Sequence, residues 1–357
     1  MKSCHLSIQR FALATALFVS NSLFGDDGQW LHFEGKKGPG KGKHVVFVSG
    51  DEEYRSEETN PMLAKILSQR HGFDCTVLFS IDPENGYIDP NNQKSLPGLE
   101  ALKGADLMII GTRFRQLSDD QYQLIADYLN AGKPVMGFRT ATHAFTGKGA
   151  TGDFRWGQFG LKILGETWIS HHGRHKGQGT RAVLEPQNAN HPVLNGVGDI
   201  FGPTDVYGIR NLDPAKSTIL FRGAVTATLD EDSPAIEGPK NDPMMPLAWF
   251  RTYTAPNGTS EGQAFCTTLG ASVDMLDKDL RRLFVNTAYH LTGLKTNKAA
   301  DVQFVDHFQP TFYGFNNVKD YYRKRNLRIS DFKLGSNAST GLANPKSAPA
   351  WRPMLPL

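Results

Sequence analysis

Short apolar segments and amphipathic segments alternate regularly along the chain from Lys43 onward. The segment HVVFVSG at 44–50 is apolar, rich in β-branched residues and closed by glycine, which predicts a buried parallel strand. The segment 60–72 has apolar residues at helical spacing and stops at a glycine. The alternation continues with strands predicted at 74–80, 105–111 and 134–140, and with a helix at 118–133 capped by Ser118. We therefore expect an α/β fold with a doubly wound, mostly parallel sheet covered on both faces.

The second half of the body adds further strand patterns and one closing helix. Strands are predicted at 181–186, 217–223, 245–253 and 262–270, and a helix at 280–293. Hydrophobic residues make up 39% of the chain and charged residues 21%, a balance typical of a folded protein rather than a disordered, collagen-like or coiled-coil one. We expect one α/β domain over residues 43–294.

The C-terminal extension, residues 295–357, differs from the body in composition. Residues 296–357 hold nine Lys and Arg against four Asp and Glu, a net +5, so the total of +3 leaves −2 for residues 1–295. The basic excess therefore belongs to the Pro-rich extension and does not indicate a nucleic-acid-binding body. We expect an extended strap on the domain surface followed by a loose end; a tail that binds an acidic polymer is the alternative.

The N-terminus has the layout of a signal peptide over residues 1–25. Lys2 and Arg10 precede the apolar run at 11–20, and small and polar residues follow it. This ten-residue run is too short to span a bilayer, which needs about 20 residues; a short membrane-associated or buried helix is the alternative. We expect export to a secreted or periplasmic location, a mature chain that begins between Asn21 and Gln29, and no membrane span. Cys75 and Cys266 lie in apolar strand patterns and are expected to be buried free thiols.

Polar residues collect directly after the predicted parallel strands. Ligands bind outside the carboxyl ends of such strands, so these loops are where a site is expected. Acids and a tyrosine follow the first strand, arginines follow the third, and arginine, threonine and histidine follow the fourth. The candidates are Asp51, Glu53, Tyr54, Arg113, Arg139, Thr140 and His143.

A second polar group is the segment WISHHGRHKGQGTR at 168–181. His171, His172 and His175 lie within five residues, and imidazole suits zinc and other transition ions. The glycines around them favour a loop, and no HExxH pattern supports the group. A divalent metal such as zinc, an anionic or hydroxylated ligand, and solvated histidines all remain open at this point.

Two further groups come later in the chain. The segment GPTDVYG at 202–208 presents Asp205 and Tyr207, and PLAWFRTY at 246–253 presents Trp249 and Arg251 as a stacking wall for a sugar. Core packing is the alternative for Trp249. The nucleophile motif GxCxG is absent, and the GxSxG match at 258–262 lies in the link between two predicted strands, not at a strand-to-helix elbow. A Walker A loop and a GxGxxG turn directly after a predicted strand are also missing, which leaves nucleotide cofactors without support.

The order of these motifs resembles the ThuA-like (trehalose-utilisation) family, whose fold is similar to that of class I glutamine amidotransferases. The resemblance covers about residues 43–294. It depends on YRSEE after the first strand, AGKPVMGFRTATHAF, ILGETWISHH, HPVL with DVY shortly after, and PLAWFRTY leading to FCTTLG. It implies a flavodoxin-like sheet and a link to carbohydrate metabolism, with some members associated with trehalose or its keto-sugars.

This chain departs from the family pattern at three places. PVMGFRTA is similar to the amidotransferase strand and elbow, and Arg139 stands where the nucleophilic cysteine would be. An arginine cannot attack a carbonyl, so glutamine hydrolysis is excluded there. Relatives carry histidine at that turn, LGH at the late strand and histidine near Ser56, where this chain has arginine, Leu-Gly-Ala and serine.

These observations lead to a set of expected roles. Arg139 would hold an oxyanion or keto oxygen, Glu53 or Asp205 would act as general base, and His143 or His172 as acid or metal ligand. Metal ligation is also assigned to His171 and His175. Substrate contacts are expected from Asp51, Tyr54, Arg113, Thr140, His172, Tyr207 and Trp249.

Three classes of function remain open from the sequence. The first is an exported enzyme that hydrolyses or isomerises a carbohydrate or keto-sugar derivative. The second is a non-catalytic sugar- or polymer-binding protein that kept the fold and lost the reaction. The third is a structural or interaction protein of the cell envelope. The expected partner is a small-molecule carbohydrate, and assembly into a homo-oligomer is compatible with each class.

Overall fold

The computed structural model describes residues 28–337, and a ten-stranded mixed sheet forms its frame. The strands in these residues are β1 Trp30–Phe33, β2 His44–Gly50, β3 Asp74–Leu78, β4 Leu107–Thr112, β5 Val135–Phe138, β6 Ala150–Thr151, β7 Phe154–Arg155, β8 Thr180–Leu184, β9 Phe201–Gly202, β10 Ser217–Val225, β11 Met245–Thr254 and β12 Glu261–Thr267. The helices are α1 Ser56–His71, α2 Asp119–Asn130, α3 Lys278–Leu291 and α4 Tyr321–Arg325. The predicted signal peptide at 1–25 and the end of the extension at 338–357 lie outside the described residues.

The centre of the sheet is parallel and its flanks are antiparallel. The strand order is β1-β3-β2-β4-β5-β12-β11-β10-β8-β9, and the pairs β3–β2, β2–β4, β4–β5 and β5–β12 are parallel. Thus four of the nine pairings are parallel, and the expectation of a mostly parallel sheet holds only for the five central strands. A parallel return needs a crossover of about a dozen residues or more. The link at 255–260 is shorter than that, so β11 and β12 pair antiparallel.

Helices cover both faces of this sheet, as the alternating pattern predicts. Helices α1 and α3 pack on one face through residues such as Leu63 and Phe284, and α2 packs on the other through Ile125. Ser118 caps α2, since its side chain accepts the backbone N–H of Gln121. Helix α1 starts four residues earlier than predicted, because the proline within its early turns removes one N–H donor without ending the helix.

The first part of the C-terminal extension, residues 295–337, is an extended strap that returns across the face of α1 and α3. Its Ile329 and Phe332 are buried in the same apolar cluster as those helices. Lys65 of α1 fastens the strap, because its buried Nζ lies 2.6 Å from Oδ2 of Asp306 and donates to the carbonyls of residues 333 and 336. The strap is therefore part of the packed structure.

Replacing Lys65 with methionine should loosen the strap and lower the free energy of unfolding by about 1–3 kcal/mol, because the change removes a hydrogen bond to Asp306 and two to backbone carbonyls. Urea denaturation measures the loss, and limited proteolysis within 300–337 should become faster. Lys216→Met is the matched control, since its side chain is 78% exposed. Equal proteolysis of both variants would contradict this role for Lys65.

Two further expectations can be compared with the described residues. Cys75 and Cys266 are buried free cysteines there, as predicted. Among residues 28–337, every helix is too short or too polar to cross a bilayer.

Candidate functional site

Three loops at the carboxyl ends of the parallel strands meet on one side of the sheet. The loop after β2 carries Asp51 and Glu53, the loop after β4 carries Arg113, and a 3-10 helix over Arg139–His143 follows β5. Nε of Arg113 lies 3.4 Å from Oε2 of Glu53, which joins the first two loops. The topology thus gathers the polar side chains that sequence analysis selected.

Some of these residues are buried and hold the loops together from the protein interior. Asp51 is buried; its Oδ1 accepts two backbone N–H groups of its own loop at 2.8 and 3.0 Å, and its Oδ2 accepts the Thr140 hydroxyl at 2.6 Å. Glu52 pairs with Arg113 at 2.6 Å and with buried Arg115 at 2.7 Å. Asp51 and Thr140 therefore support the site, which corrects the expectation that they contact substrate.

Arg139 lies beneath the site, at the elbow that follows β5. Its backbone is left-handed (φ 47°) and its side chain is completely buried. Nη1 donates to the carbonyls of Asp205 and Thr268, while Nη2 donates to Oδ1 of Asp205 and to the Tyr54 hydroxyl. Its guanidinium carbon lies 4.3 Å from the ring centre of Tyr54 and 3.9 Å from that of Tyr207.

These contacts correct three expectations. All four of the donors just described are aimed at protein groups, so Arg139 acts on the position of its neighbours instead of holding an oxyanion. Tyr54 and Tyr207 are both buried and enclose the guanidinium, so they do not form a substrate-binding surface. Burial lowers the pKa of Arg139, but the tyrosines and Asp205 outweigh it and leave the pKa well above its ordinary value.

Asp205 joins Arg139 to two histidines of the loop after residue 168. Its Oδ2 lies 2.7 Å from Nδ1 of His171, and its Oδ1 lies 3.1 Å from Nδ1 of His175. Burial raises the pKa of this carboxyl, but Arg139 and the hydrogen bonds from both histidines lower it by more. The net result is a pKa well below its usual range. Asp205 is thus an ionised, buried orienting group, and it does not reach the cleft as the expected general base.

The ionised carboxylate orients both histidines. A carboxylate only accepts hydrogen bonds, so each Nδ1 carries a proton and donates to Asp205. The side chains of His171 and His175 are 31% and 27% exposed, so both rings reach solvent, and the surface beside them is called the cleft. Nε2 of His175 also faces Oε1 of Glu53 at 3.6 Å.

Glu53, in the loop after β2, lies beside His175 on the side away from Asp205. Burial and neighbouring Asp51 raise the pKa of its carboxyl, while Arg113, Arg139 and His175 oppose that shift. Donor atoms of His171, His175 and Asp205 lie within 4.8 Å of one another, close enough for a group that holds a metal ion. The cleft thus presents two imidazoles and a carboxylate supported by a buried ion pair.

The other two candidate histidines have different environments. His143 is buried against Phe114 and Trp168, with ring centres 4.9 and 5.2 Å away, and burial followed by the nearby arginines holds its pKa well below the ordinary value. It is therefore a neutral imidazole in the wall of the cleft. His172 points away, because its Nε2 donates to the carbonyl of Lys240 at 2.7 Å. This corrects the roles expected of His172.

Trp249 also falls outside the site. It is fully buried on β11, and its indole N–H donates to the carbonyl of Leu164 at 2.8 Å. Its place in the middle of the sheet makes it a core residue, so the expected sugar-stacking wall is not formed by this side chain.

Two aromatic residues that sequence analysis did not select pack around the histidines instead. The ring of Trp168 lies 4.8 Å from that of His171 and 4.7 Å from that of Tyr207. Tyr313 of the strap stacks on Tyr54 at 5.3 Å and meets the edge of His175 at 5.4 Å. Trp168 could have been found from its place beside the histidines, whereas nothing in the sequence connects Tyr313 with residues more than a hundred positions earlier.

Comparison with known proteins identifies the family. A search of curated proteins found no match. A solved structure described as a ThuA-like protein, from Parabacteroides merdae, is 16% identical with a TM-score of 0.47, and the match covers 72% of this chain and 92% of that one. Cytoplasmic protein STM3548 from Salmonella typhimurium is 12% identical with a TM-score of 0.38, covering 71% and 100%. Neither likeness carries an argument about function. The sequence model of the ThuA family, described as trehalose utilisation, matches residues 44–290, and the chain therefore belongs to the ThuA family.

Proposed function

We propose that this protein acts on a carbohydrate or keto-sugar derivative bound in the cleft beside His171 and His175, and isomerises or hydrolyses it by proton transfer. The observation that carries the proposal is the buried carboxylate of Asp205, which accepts a hydrogen bond from Nδ1 of each histidine and so orients two partly exposed imidazoles. The family's description as trehalose utilisation supports a carbohydrate as the substrate class.

Both reactions need the groups that this cleft provides. Isomerisation of a keto-sugar begins with removal of a proton from the carbon next to the carbonyl, and hydrolysis requires a water molecule to lose a proton. An acceptor held in place by a carboxylate is suited to either step, and such general-base catalysis contributes about 10²–10⁴-fold to a rate. Glu53 adds a third acceptor beside His175, 3.6 Å from its Nε2.

The walls of the cleft also suit a hydroxylated ring. Trp168 is partly exposed and offers an apolar ring surface, and Arg113 and neutral His143 lie on the same side as hydrogen-bonding groups. Binding sites for small molecules combine apolar walls with a few polar groups in this way.

Deuterium exchange into keto-sugars tests the proposed reaction. We expect the protein to catalyse wash-in of solvent deuterium next to the carbonyl, or release of a sugar product, in a panel of trehalose, other disaccharides and their keto derivatives followed by NMR. His171→Gln and His175→Gln should each lower the rate about 100-fold or more, because each removes an oriented acceptor. His172→Gln is the matched control and should keep the rate, since its ring is turned away.

Two outcomes would overturn this function. Binding of a sugar without exchange or product would favour the non-catalytic binding protein. Equal activity in the His171, His175 and His172 variants would show that the reaction takes place elsewhere in the protein.

The finer fold assignment and export are proposals as well. Counted along the chain, the five parallel strands lie in the order 2-1-3-4-5, which supports a flavodoxin-like sheet. The basic, apolar and small-residue layout of 1–25 supports export with signal-peptide cleavage. N-terminal sequencing of the exported protein tests this, and a chain that still begins at Met1 would contradict it.

A further inference from the structure

His175 and Glu53 face each other from different loops. Asp205 and the buried guanidinium of Arg139 form an ion pair, and the carboxylate accepts the Nδ1–H groups of both histidines. Nε2 lies on the other side of the His175 ring, and the atom opposite it is Oε1 of Glu53, at 3.6 Å. That distance is too long for a direct hydrogen bond and leaves room for an ion that both atoms bind.

The spacing of these atoms fits a common metal ion. Zinc binds imidazole nitrogen at about 2.0–2.1 Å and carboxylate oxygen at about 2.0–2.2 Å, so two tetrahedral ligands lie roughly 3.4 Å apart. The separation of 3.6 Å between His175 and Glu53 is close to that value. The ring centres of His171 and His175 are 4.3 Å apart, so the two imidazoles lie side by side.

The surroundings of the histidines match those of metal ligands. A ligating histidine almost always donates its other ring N–H to a carboxylate or carbonyl, which fixes the tautomer and the ring orientation. Asp205 does this for both rings at once, with one oxygen for each. Because both of its oxygens are used in this way, Asp205 orients the ligands and Glu53 completes the set.

The charges nearby leave room for a cation. Arg139 is balanced by Asp205 and lies between two tyrosine rings, and Nη1 of Arg113 is paired with Glu52 at 2.6 Å. Nε of Arg113 approaches Glu53 at 3.4 Å from Oε2, and Oε1 lies on the side of His175.

We propose that Nε2 of His171, Nε2 of His175 and Oε1 of Glu53 form a binding site for a divalent transition-metal ion of the zinc class. Two imidazoles and one carboxylate leave a further coordination position open, as in catalytic zinc sites. The ion's role in the reaction rests on the function proposed above: an ion here would polarise a sugar oxygen and lower the pKa of a bound water. The binding itself does not depend on that function.

Metal titration of the full chain tests the site. The protein is stripped with chelator, and binding of Zn²⁺ and Co²⁺ is measured by calorimetry and by the visible absorption of bound Co²⁺. We expect one ion per chain. His171→Gln and His175→Gln should each weaken binding about 100-fold or more, Glu53→Gln at least about 10-fold, and Asp205→Asn about 10- to 100-fold. His172→Gln should bind as the wild type does, since it keeps the same loop and removes only an outward-facing ring.

The results separate this proposal from the proposed function. Failure of the wild type to bind either ion, or equal binding by the Glu53, His171 and His172 variants, would overturn the metal site. Sugar turnover by a metal-free protein would then leave the histidines as direct bases. One bound ion that is lost in the His171 and His175 variants supports the site, even in a protein that turns over no sugar. Circular dichroism and thermal unfolding of each variant show that a loss of binding comes from a folded chain.

Discussion

Replacing Arg139 with methionine should lower the free energy of unfolding by about 3–5 kcal/mol. The change removes the positive partner of a completely buried carboxylate, and a buried charge left without compensation is strongly destabilising. It also removes donors to the carbonyls of Asp205 and Thr268 and the contact with the faces of Tyr54 and Tyr207. Urea denaturation at neutral pH measures the loss.

Two further variants make the Arg139 result interpretable. Arg139→Lys keeps the charge but not the planar fork, so its loss should lie between those of the wild type and Arg139→Met. Arg210 is exposed, and Arg210→Met should change the stability by no more than about 0.5 kcal/mol. A loss below about 1 kcal/mol for Arg139→Met would show that Asp205 does not depend on this arginine.

Replacing Glu57 with glutamine should remove most of a pH dependence in the stability of the protein. Glu57 is buried in the first turn of α1, and neither of its carboxylate oxygens has a hydrogen-bond partner. Burial raises the pKa of Glu57 from 4.5 to about 8, while neighbouring Arg55 opposes the shift. Below pH 4.5 the group is protonated in both folded and unfolded chains, and its contribution to stability is fully present. As the pH rises from 4.5 to about 8 the unfolded chain ionises first, and roughly 5 kcal/mol is lost.

Unfolding curves at pH 5, 7 and 8.5 test this expectation. Glu57→Gln should match the wild type at pH 5 within about 1–2 kcal/mol and become increasingly more stable than it as the pH rises. Glu84→Gln is the control, because Glu84 is exposed and removing its charge should not change the shape of the curve. Parallel curves for wild type and Glu57→Gln would mean that Glu57 ionises in the folded protein as readily as in the unfolded one.

The central strands were predictable because their burial on both faces produces a local pattern. The segment at 44–50 has an unbroken apolar run at 45–48, and it pairs in parallel on both sides, as expected of a strand covered by helices. Strand direction is not contained in such a pattern. The strands at 245–254 and 261–267 look similar in sequence but run antiparallel, because the link at 255–260 is too short for a parallel crossover.

The candidate site was predictable at the level of loops, and less so at the level of side chains. Topology places the loops after β2, β4 and β5 together, so Glu53 and Arg113 are neighbours as expected. Whether a side chain faces the cleft or the interior depends on tertiary packing. His171 and His172 are adjacent, yet one binds Asp205 and the other turns to the carbonyl of Lys240. An arginine after a strand is usually solvated, and only the structure shows Arg139 enclosed by Tyr54 and Tyr207.

The strap has a consequence for the order in which the site is assembled. The N–H of Gly314 donates to the carbonyl of Glu53, and the carbonyl of Gly314 accepts a hydrogen bond from Nη2 of Arg55, each at 2.7 Å. The ring of Tyr313 stacks on that of Tyr54. These partners are separated by some 260 positions in the chain, and contacts of such long sequence separation form slowly because a large loop must close first. During synthesis the loop that carries Glu53 emerges long before the residues that fasten it. We therefore expect the cleft to be completed late in folding, after the central sheet, when the strap fastens the loop that carries Glu53.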